Sequence, residues 1–205
     1  QSLYENTVEF NLSDSGVHPY SLNELLSADQ RAKLMEVELG YGWTNGAVEL
    51  REDIAKLYRN RTSDEVIVTN GSAEANFLMV MSLIEPGDEI VVFVPNYLQI
   101  WGWARAIGAN VKEVKLREEL GWTPDLDEVR RAITPRTKLM TICNPNNPTG
   151  SLLSRETMDA LVEIARAQGC YLHADEVYKG AELETDEPPS FADLYEKAII
   201  TSGLS

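Results

Sequence analysis

Four short segments carry residues able to bind or polarise a ligand: Asn70-Gly71-Ser72-Ala73, Pro95-Asn96-Tyr97, Asn144-Pro145-Asn146-Asn147-Pro148-Thr149-Gly150 and Asp175-Glu176-Val177-Tyr178. In the first, Gly71 permits a tight turn and Ser72 and Ala73 would open a helix. The first N–H groups of a helix have no partner within it, and with the positive end of the dipole they make a phosphate cradle. The same residues also suit an ordinary helix cap, so this segment alone is a weak signal. The third segment is more specific. Pro145 and Pro148 lie on either side of Asn147 and hold the backbone extended, which aims one amide, both donor and acceptor, at a fixed point. Turn chemistry alone accounts poorly for seven residues of this composition after an apolar run.

Asp175 ends the apolar run Cys170-Tyr171-Leu172-His173-Ala174, where an unpaired carboxylate is costly. Opposite the ring nitrogen of a heteroaromatic ligand it would hold that nitrogen protonated, since each charge favours the other. A helix-capping aspartate is the competing reading. Tyr178, three residues on, can give its hydroxyl to the same ligand or pack in a core. Tyr97 offers a flat face for stacking on an aromatic ring or for packing. His18 and His173 share no metal-ligand spacing with Cys or Asp, so no metal is implied, and His173 reads as a sheet-packing residue.

The elements that must position these segments alternate from residue 46 onward. Helical periodicity runs over 46–60, with Val48, Leu50, Ile54, Ala55, Leu57 and Tyr58 on one stripe. Glu65-Val66-Ile67-Val68-Thr69 reads as a strand, followed by a helix over 73–84 that Pro86-Gly87-Asp88 stops. Ile90-Val91-Val92-Phe93-Val94 has no polar alternation, as in a strand buried on both faces of a parallel sheet. The rhythm continues with a helix at 97–107, a strand at 110–115, a helix at 125–132 and a strand at 138–143. A helix at 154–168 follows, N-capped by Ser154 and ended by Gly169, then strands at 170–174 and 198–201. This order predicts an α/β fold of three layers, a mostly parallel sheet with helices on both faces. Residues 180–193 read as an acidic surface loop. Residues 1–45 fall outside the rhythm and are expected to form an arm and part of a second, small domain, with 46–205 as the large domain. Ligands of such sheets gather at the carboxyl ends of the strands, so the four segments should converge on one site.

The 33 acidic and 18 basic residues give a net charge of −15, a field that repels nucleic acid. No apolar run approaches the roughly 20 residues of a membrane span. The start, Gln1-Ser2-Leu3, has no secretion signal and no initiating Met, so a few residues are expected to precede it. Cys143 and Cys170 sit in apolar runs without disulfide or metal spacing, as core thiols of a cytoplasmic protein do.

In order and spacing, the segments resemble fold-type-I pyridoxal-phosphate (PLP) enzymes, specifically the class I/II aminotransferase family. The resemblance covers Tyr41 to Ser205, and its most specific parts are Asn-Pro-Asn-Asn-Pro-Thr-Gly and Asp-Glu-Val-Tyr. Weaker agreement comes from Tyr41, Gly46, Leu50-Arg51, Thr69-Asn70-Gly71-Ser72 and Glu85-Pro86-Gly87-Asp88. It implies the PLP-dependent transferase fold and the transfer of an amino group between an amino acid and a 2-oxo acid. It also implies that Ser72 and Ala73 bind the cofactor phosphate, Tyr97 stacks on the pyridine ring, Asn147 and Tyr178 bond its phenolic oxygen, and Asp175 its ring nitrogen. Tyr41 would reach the phosphate of a neighbouring subunit in a homodimer, and Gly16 would contact substrate. Thr201-Ser202-Gly203-Leu204-Ser205 is similar to the approach to the Schiff-base lysine, expected directly after Ser205, with Ser202 or Ser205 touching the phosphate. The family usually places Ser or Thr three positions before that lysine, where Gly203 stands here. Other PLP reactions share this fold: C–S lyase, decarboxylation, oxidation, or cyclisation of the capreomycidine-synthase kind. A non-catalytic PLP-binding or regulatory domain is a further alternative.

Overall fold

The computed structural model describes residues 7–9, 20–183 and 185–204, so Gly16 and Ser205 lie outside the described residues. Those described fall into two compact units, up to Tyr41 and from Gly42 onward. The first unit holds α1 (Leu22–Leu25) and α2 (Ala28–Met35). Each opens with a reciprocal capping box, Ser21 with Glu24 and Ser27 with Gln30, which satisfies orphan N–H groups at the helix start. Neither helix buries a residue.

In the second unit five strands form one sheet, β1 (Glu89–Val94), β2 (Asn110–Lys115), β3 (Thr137–Cys143), β4 (Tyr171–Asp175) and β5 (Ala198–Thr201). Their order is β2-β1-β3-β4-β5 and every pairing is parallel. The helices are α3 (Val48–Ala55), α4 (Ser72–Leu83), α5 (Gln99–Ile107), α6 (Leu126–Ala132) and α7 (Arg155–Gln168). Side chains of β1 alternate between two cores, one on each face. Val91 and Phe93 join Val129 of α6 and Met158 and Leu161 of α7. Ile90 and Val92 join Met79 and Val80 of α4 and Ile100 and Ala104 of α5. Two buried faces explain why β1 carries no polar alternation, and they make the sheet the middle of three layers. Among the described residues no helix is long and apolar enough to cross a membrane.

Helix α7 starts on Ser154, whose side chain accepts from the Thr157 N–H, and ends on Gly169 in the left-handed region. Three expectations need correction. The helix expected over 46–60 is shorter, Val48–Ala55, and Leu57 is 69 % exposed instead of lying on a buried stripe. The run Glu65–Thr69 joins no strand among the described residues; its Val68 N–H donates to the Asn45 carbonyl at 3.0 Å. A β-branched run becomes a strand only beside a ladder partner. Here the buried Arg51 draws the chain elsewhere, donating to the Gly46 carbonyl at 3.2 Å and the Ser63 carbonyl at 2.6 Å. Val68 packs so closely on Gly46 that a Cβ there would lie 2.5 Å from its methyl.

The third correction concerns the acidic loop over 180–193. Its surface portion ends early, because Ser190 and Phe191 are buried and Phe191 belongs to the core. Glu176 anchors them, accepting from Ser190 Oγ at 3.0 Å and from the Phe191 N–H at 2.9 Å. Burial pushes this carboxyl up to about 7, against the pull of those donors and of nearby Lys179. The folded chain therefore holds the proton more tightly than the unfolded chain does. The stability this provides is complete below the ordinary carboxylate value of 4.5 and is lost as pH rises through about 7. Replacing Glu176 by Gln keeps an acceptor and removes the titration. Denaturant unfolding should show wild type losing on the order of 2 kcal/mol more than Glu176→Gln between pH 5 and pH 8. Parallel pH profiles for the two proteins would contradict this.

Candidate functional site

Helix α4 begins immediately after Gly71, whose φ of 80° lies in the region glycine tolerates best. The Thr69 hydroxyl donates to the Gly71 carbonyl at 2.9 Å, and the Glu74 carboxylate accepts the Asn70 N–H at 2.5 Å. These bonds shape the turn and leave the N–H groups of Ser72 and Ala73 without intrahelical partners, at the positive end of a 12-residue helix. Ser72 is half-buried and Ala73 exposed, so the cradle is open to a ligand.

At the end of β1 the chain turns through a cis Val94–Pro95 bond into Asn96, whose side chain accepts the Tyr97 N–H at 2.6 Å. Tyr97 is 52 % exposed and is no core residue. It lines a cavity together with Val94, Trp101, Thr141, Ile142 and Asp175. The loop after β3 contains two further cis bonds, Asn144–Pro145 and Asn147–Pro148. Its asparagines divide the labour. Asn144 accepts the Leu153 N–H at 3.0 Å through Oδ1, and its own N–H donates to the Asp175 carbonyl at 2.9 Å. Asn146 donates to Thr149 Oγ1 at 2.8 Å and to the Pro95 carbonyl at 3.4 Å. Both are buried and hold the loop's shape. Asn147 is half-buried, and its Nδ2 donates to the Tyr178 hydroxyl at 3.3 Å, so this expected pair is brought together.

Asp175 ends β4 and is buried. Residues 177–180 form turns, so no helix starts here for Asp175 to cap. One oxygen accepts the Val177 N–H at 3.2 Å. Burial pushes its pKa up, while the Val177 N–H and the Asn76 side chain pull it down. Among the described residues no Lys, Arg or His pairs with it. Ser202 is exposed just beyond β5. Tyr41 is fully exposed in the other unit, and Gly16 and Ser205 lie outside the described residues.

Sequence reasoning passed over a chain of polar side chains behind the site. Thr141 Oγ1 lies 2.8 Å from His173 Nδ1, and His173 Nε2 lies 3.0 Å from Thr201 Oγ1. Thr201 donates to Asn76 Oδ1 at 2.9 Å, Asn76 Nδ2 to Gln99 Oε1 at 3.3 Å, and Gln99 Nε2 to the Ala73 carbonyl at 3.1 Å. The signal was a polar residue inside each of three apolar strands, Thr141, His173 and Thr201. Nothing in the spacing said that they meet.

Three of the four segments thus follow neighbouring strands β1, β3 and β4, and the fourth is tied to α5 through Gln99. Free helix N–H groups, an exposed aromatic face, a bonded amide–phenol pair and a buried carboxylate without a cationic partner among the described residues suit an anionic heteroaromatic ligand. Residues 10–205 match the family described as aminotransferase class I and II. The chain is 35 % identical over 170 residues to the aspartate/prephenate aminotransferase of Thermus thermophilus, covering 80 % of this chain and 44 % of that one. It is 34 % identical over 180 residues to the aspartate aminotransferase of Thermotoga maritima, covering 84 % and 48 %. A solved structure, a PLP-dependent aminotransferase from Streptococcus suis, superposes with a TM-score of 0.81 at 38 % identity, covering 86 % of this chain and 46 % of that one. The chain spans about half the length of the curated relatives it matches. Since the matched residues include all four segments, the chain belongs to the class I and II aminotransferase family.

Proposed function

We propose that this chain is the cofactor-binding part of a PLP-dependent aminotransferase, which moves an amino group between an amino acid and a 2-oxo acid. The observation that carries this reading is Asp175, a buried carboxylate with no cationic side chain beside it among the described residues, lining the same cavity as the exposed ring of Tyr97. A heteroaromatic nitrogen that keeps its proton is the partner such a carboxylate lacks. When bound, PLP supplies the electron sink that stabilises negative charge left on the substrate carbon. The protein supplies binding, orientation and electrostatics.

Each residue then has a task. The N–H groups of Ser72 and Ala73 hold the phosphate, helped by the α4 dipole and by the hydroxyl of Ser202 or Ser205. Tyr97 stacks on the ring face. Asn147 and Tyr178, already hydrogen-bonded to each other, share the phenolic oxygen. Asp175 holds the proton on the ring nitrogen. Gly16 lies against the substrate. Tyr41 crosses to the phosphate of the second subunit of a homodimer, and its full exposure in this chain is in keeping with that role. Residues 1–45 serve as the arm and part of a small domain, and 46–205 as the large domain. The buried free thiols of Cys143 and Cys170 support a reducing compartment, the cytoplasm.

In the full-length protein, Asp175→Asn removes the charge with little change of shape. Steady-state kinetics should show kcat lower by at least ~100-fold, on the order of 3 kcal/mol, with PLP still bound. Near-normal turnover would mean that the ring nitrogen sits elsewhere. For the assembly, sedimentation of the loaded wild-type protein should give a dimer, and Tyr41→Phe should bind PLP about tenfold more weakly, the worth of one hydrogen bond to a charged group. A loaded monomer, or unchanged affinity in Tyr41→Phe, would remove Tyr41 from the site.

A further inference from the structure

Behind the site, the order of donors and acceptors is fixed from one end. A backbone carbonyl can only accept, so at Ala73 the Gln99 group must be its NH2, which leaves Gln99 Oε1 facing Asn76. That oxygen can only accept, so Asn76 presents its NH2 there and its Oδ1 to Thr201. Thr201 has one hydroxyl proton and spends it on Asn76. Toward His173 it can therefore only accept, which puts the imidazole proton on Nε2. His173 Nδ1 is then bare and accepts from the Thr141 hydroxyl. One orientation satisfies every member, and reversing any one sets two acceptors or two donors against each other.

The chain crosses three neighbouring strands and ends at the turn expected to hold the phosphate. Thr141, His173 and Thr201 lie on β3, β4 and β5, and Asn76 and Ala73 on the first turns of α4. Thr141, His173, Thr201 and Asn76 are all buried, where an unmatched polar group costs about 1–3 kcal/mol. Asn76 keeps a second amide proton; Thr201, which donates to its Oδ1, is the register partner of Asp175 across β4 and β5, so the amide lies on the Asp175 side of the chain and draws the carboxyl pKa down. Gln99 also opens α5, two residues after Tyr97.

From this geometry we infer that Asn76 is a positioning residue that holds the Asp175 carboxylate against the ligand's ring nitrogen and ties it to the Ala73 turn. Thr201 and the Nε2–H tautomer of His173 fix which way the amide faces. The inference rests on the PLP reading of the site. Asn76 bonds Thr201 and Gln99 and does not line the cavity that Tyr97 and Asp175 share, so its effect on the ligand passes through Asp175. Burial also drives the His173 pKa down to about 3, which keeps the ring neutral as the chain requires.

The test uses the full-length protein, with and without PLP. Long-range proton–nitrogen NMR, with His173→Gln to assign the signals, should show Nε2–H on His173 in both forms; Nδ1–H or imidazolium would overturn the inference. In protein loaded with PLP labelled at its ring nitrogen, Thr201→Val should move the nitrogen resonance toward that of Asp175→Asn. It should also lower kcat about tenfold, with KM for the amino acid within about twofold, the loss of one buried hydrogen bond. Thr201→Ser, which keeps the hydroxyl, should restore both values. Asn76→Leu provides the same readout should Thr201→Val not fold. If Asp175→Asn shifts the nitrogen signal while folded Thr201→Val or Asn76→Leu leaves it in place, the positioning role is wrong and the PLP reading stands. If the protein takes up no PLP, or Asp175→Asn leaves the signal unmoved, the reading of the site fails and the positioning role falls with it.

Discussion

A carboxylate removed from water needs a positive partner or a set of donors, and two carboxylates of this sheet meet that demand in opposite ways. At the amino end of β1, Glu89 is buried and surrounded. Lys112 lies 2.7 Å away, the Thr134 hydroxyl donates at 2.5 Å, and Arg136 pairs with the second oxygen. These partners hold its carboxyl down at about 2. At the carboxyl end of β4, Asp175 is also buried, but burial wins and its pKa is raised. One end of the sheet carries a completed ion cluster that fastens β1, β2 and the approach to β3. The other carries a buried carboxylate with no cationic partner among the described residues, lining a cavity with Tyr97.

Parallel strands make that arrangement possible. Because all five strands run the same way, every loop after a strand opens at one edge of the sheet. Tyr97, Asn147 and Ser202 follow β1, β3 and β5, and Asp175 is the last residue of β4. Strands β1, β3 and β4 are buried along most of their length, so a polar side chain within them must find its partner inside the protein. Thr141, His173 and Thr201 do so through one another, and their chain leads out to Asn76 beside Asp175. The three-layer architecture thereby links interior hydrogen bonding to the charge presented at the edge.

Much of this was legible in the amino-acid sequence, for physical reasons. Unbroken apolar runs such as Ile90–Val94 can be satisfied only between two helical layers, and Ser154 and Gly169 mark their helix ends by capping chemistry. Asp175 and the Asn144–Gly150 loop stood out because their residue types conflict with simple packing. The run Glu65–Thr69 misled because β propensity describes fit to a pleated surface, whereas Arg51 and Gly46 hold this run against the turn at Asn45. Phe191 was concealed in an acidic stretch, since the buried partner that holds it, Glu176, is a long-range neighbour. The division of work among Asn144, Asn146 and Asn147 was equally hidden, because three identical amides differ only in what the fold sets beside them.

The central claim is that Asp175 faces the ring nitrogen of a bound pyridine. A crystal structure of the full-length protein with PLP tests it most directly, through the identity of the atom nearest the carboxylate. The cofactor's ring nitrogen is expected within about 2.7–2.9 Å of an Asp175 oxygen, the range of a charge-assisted hydrogen bond. A lysine or arginine from the rest of the polypeptide in that place, with the cofactor nitrogen turned elsewhere, would contradict it.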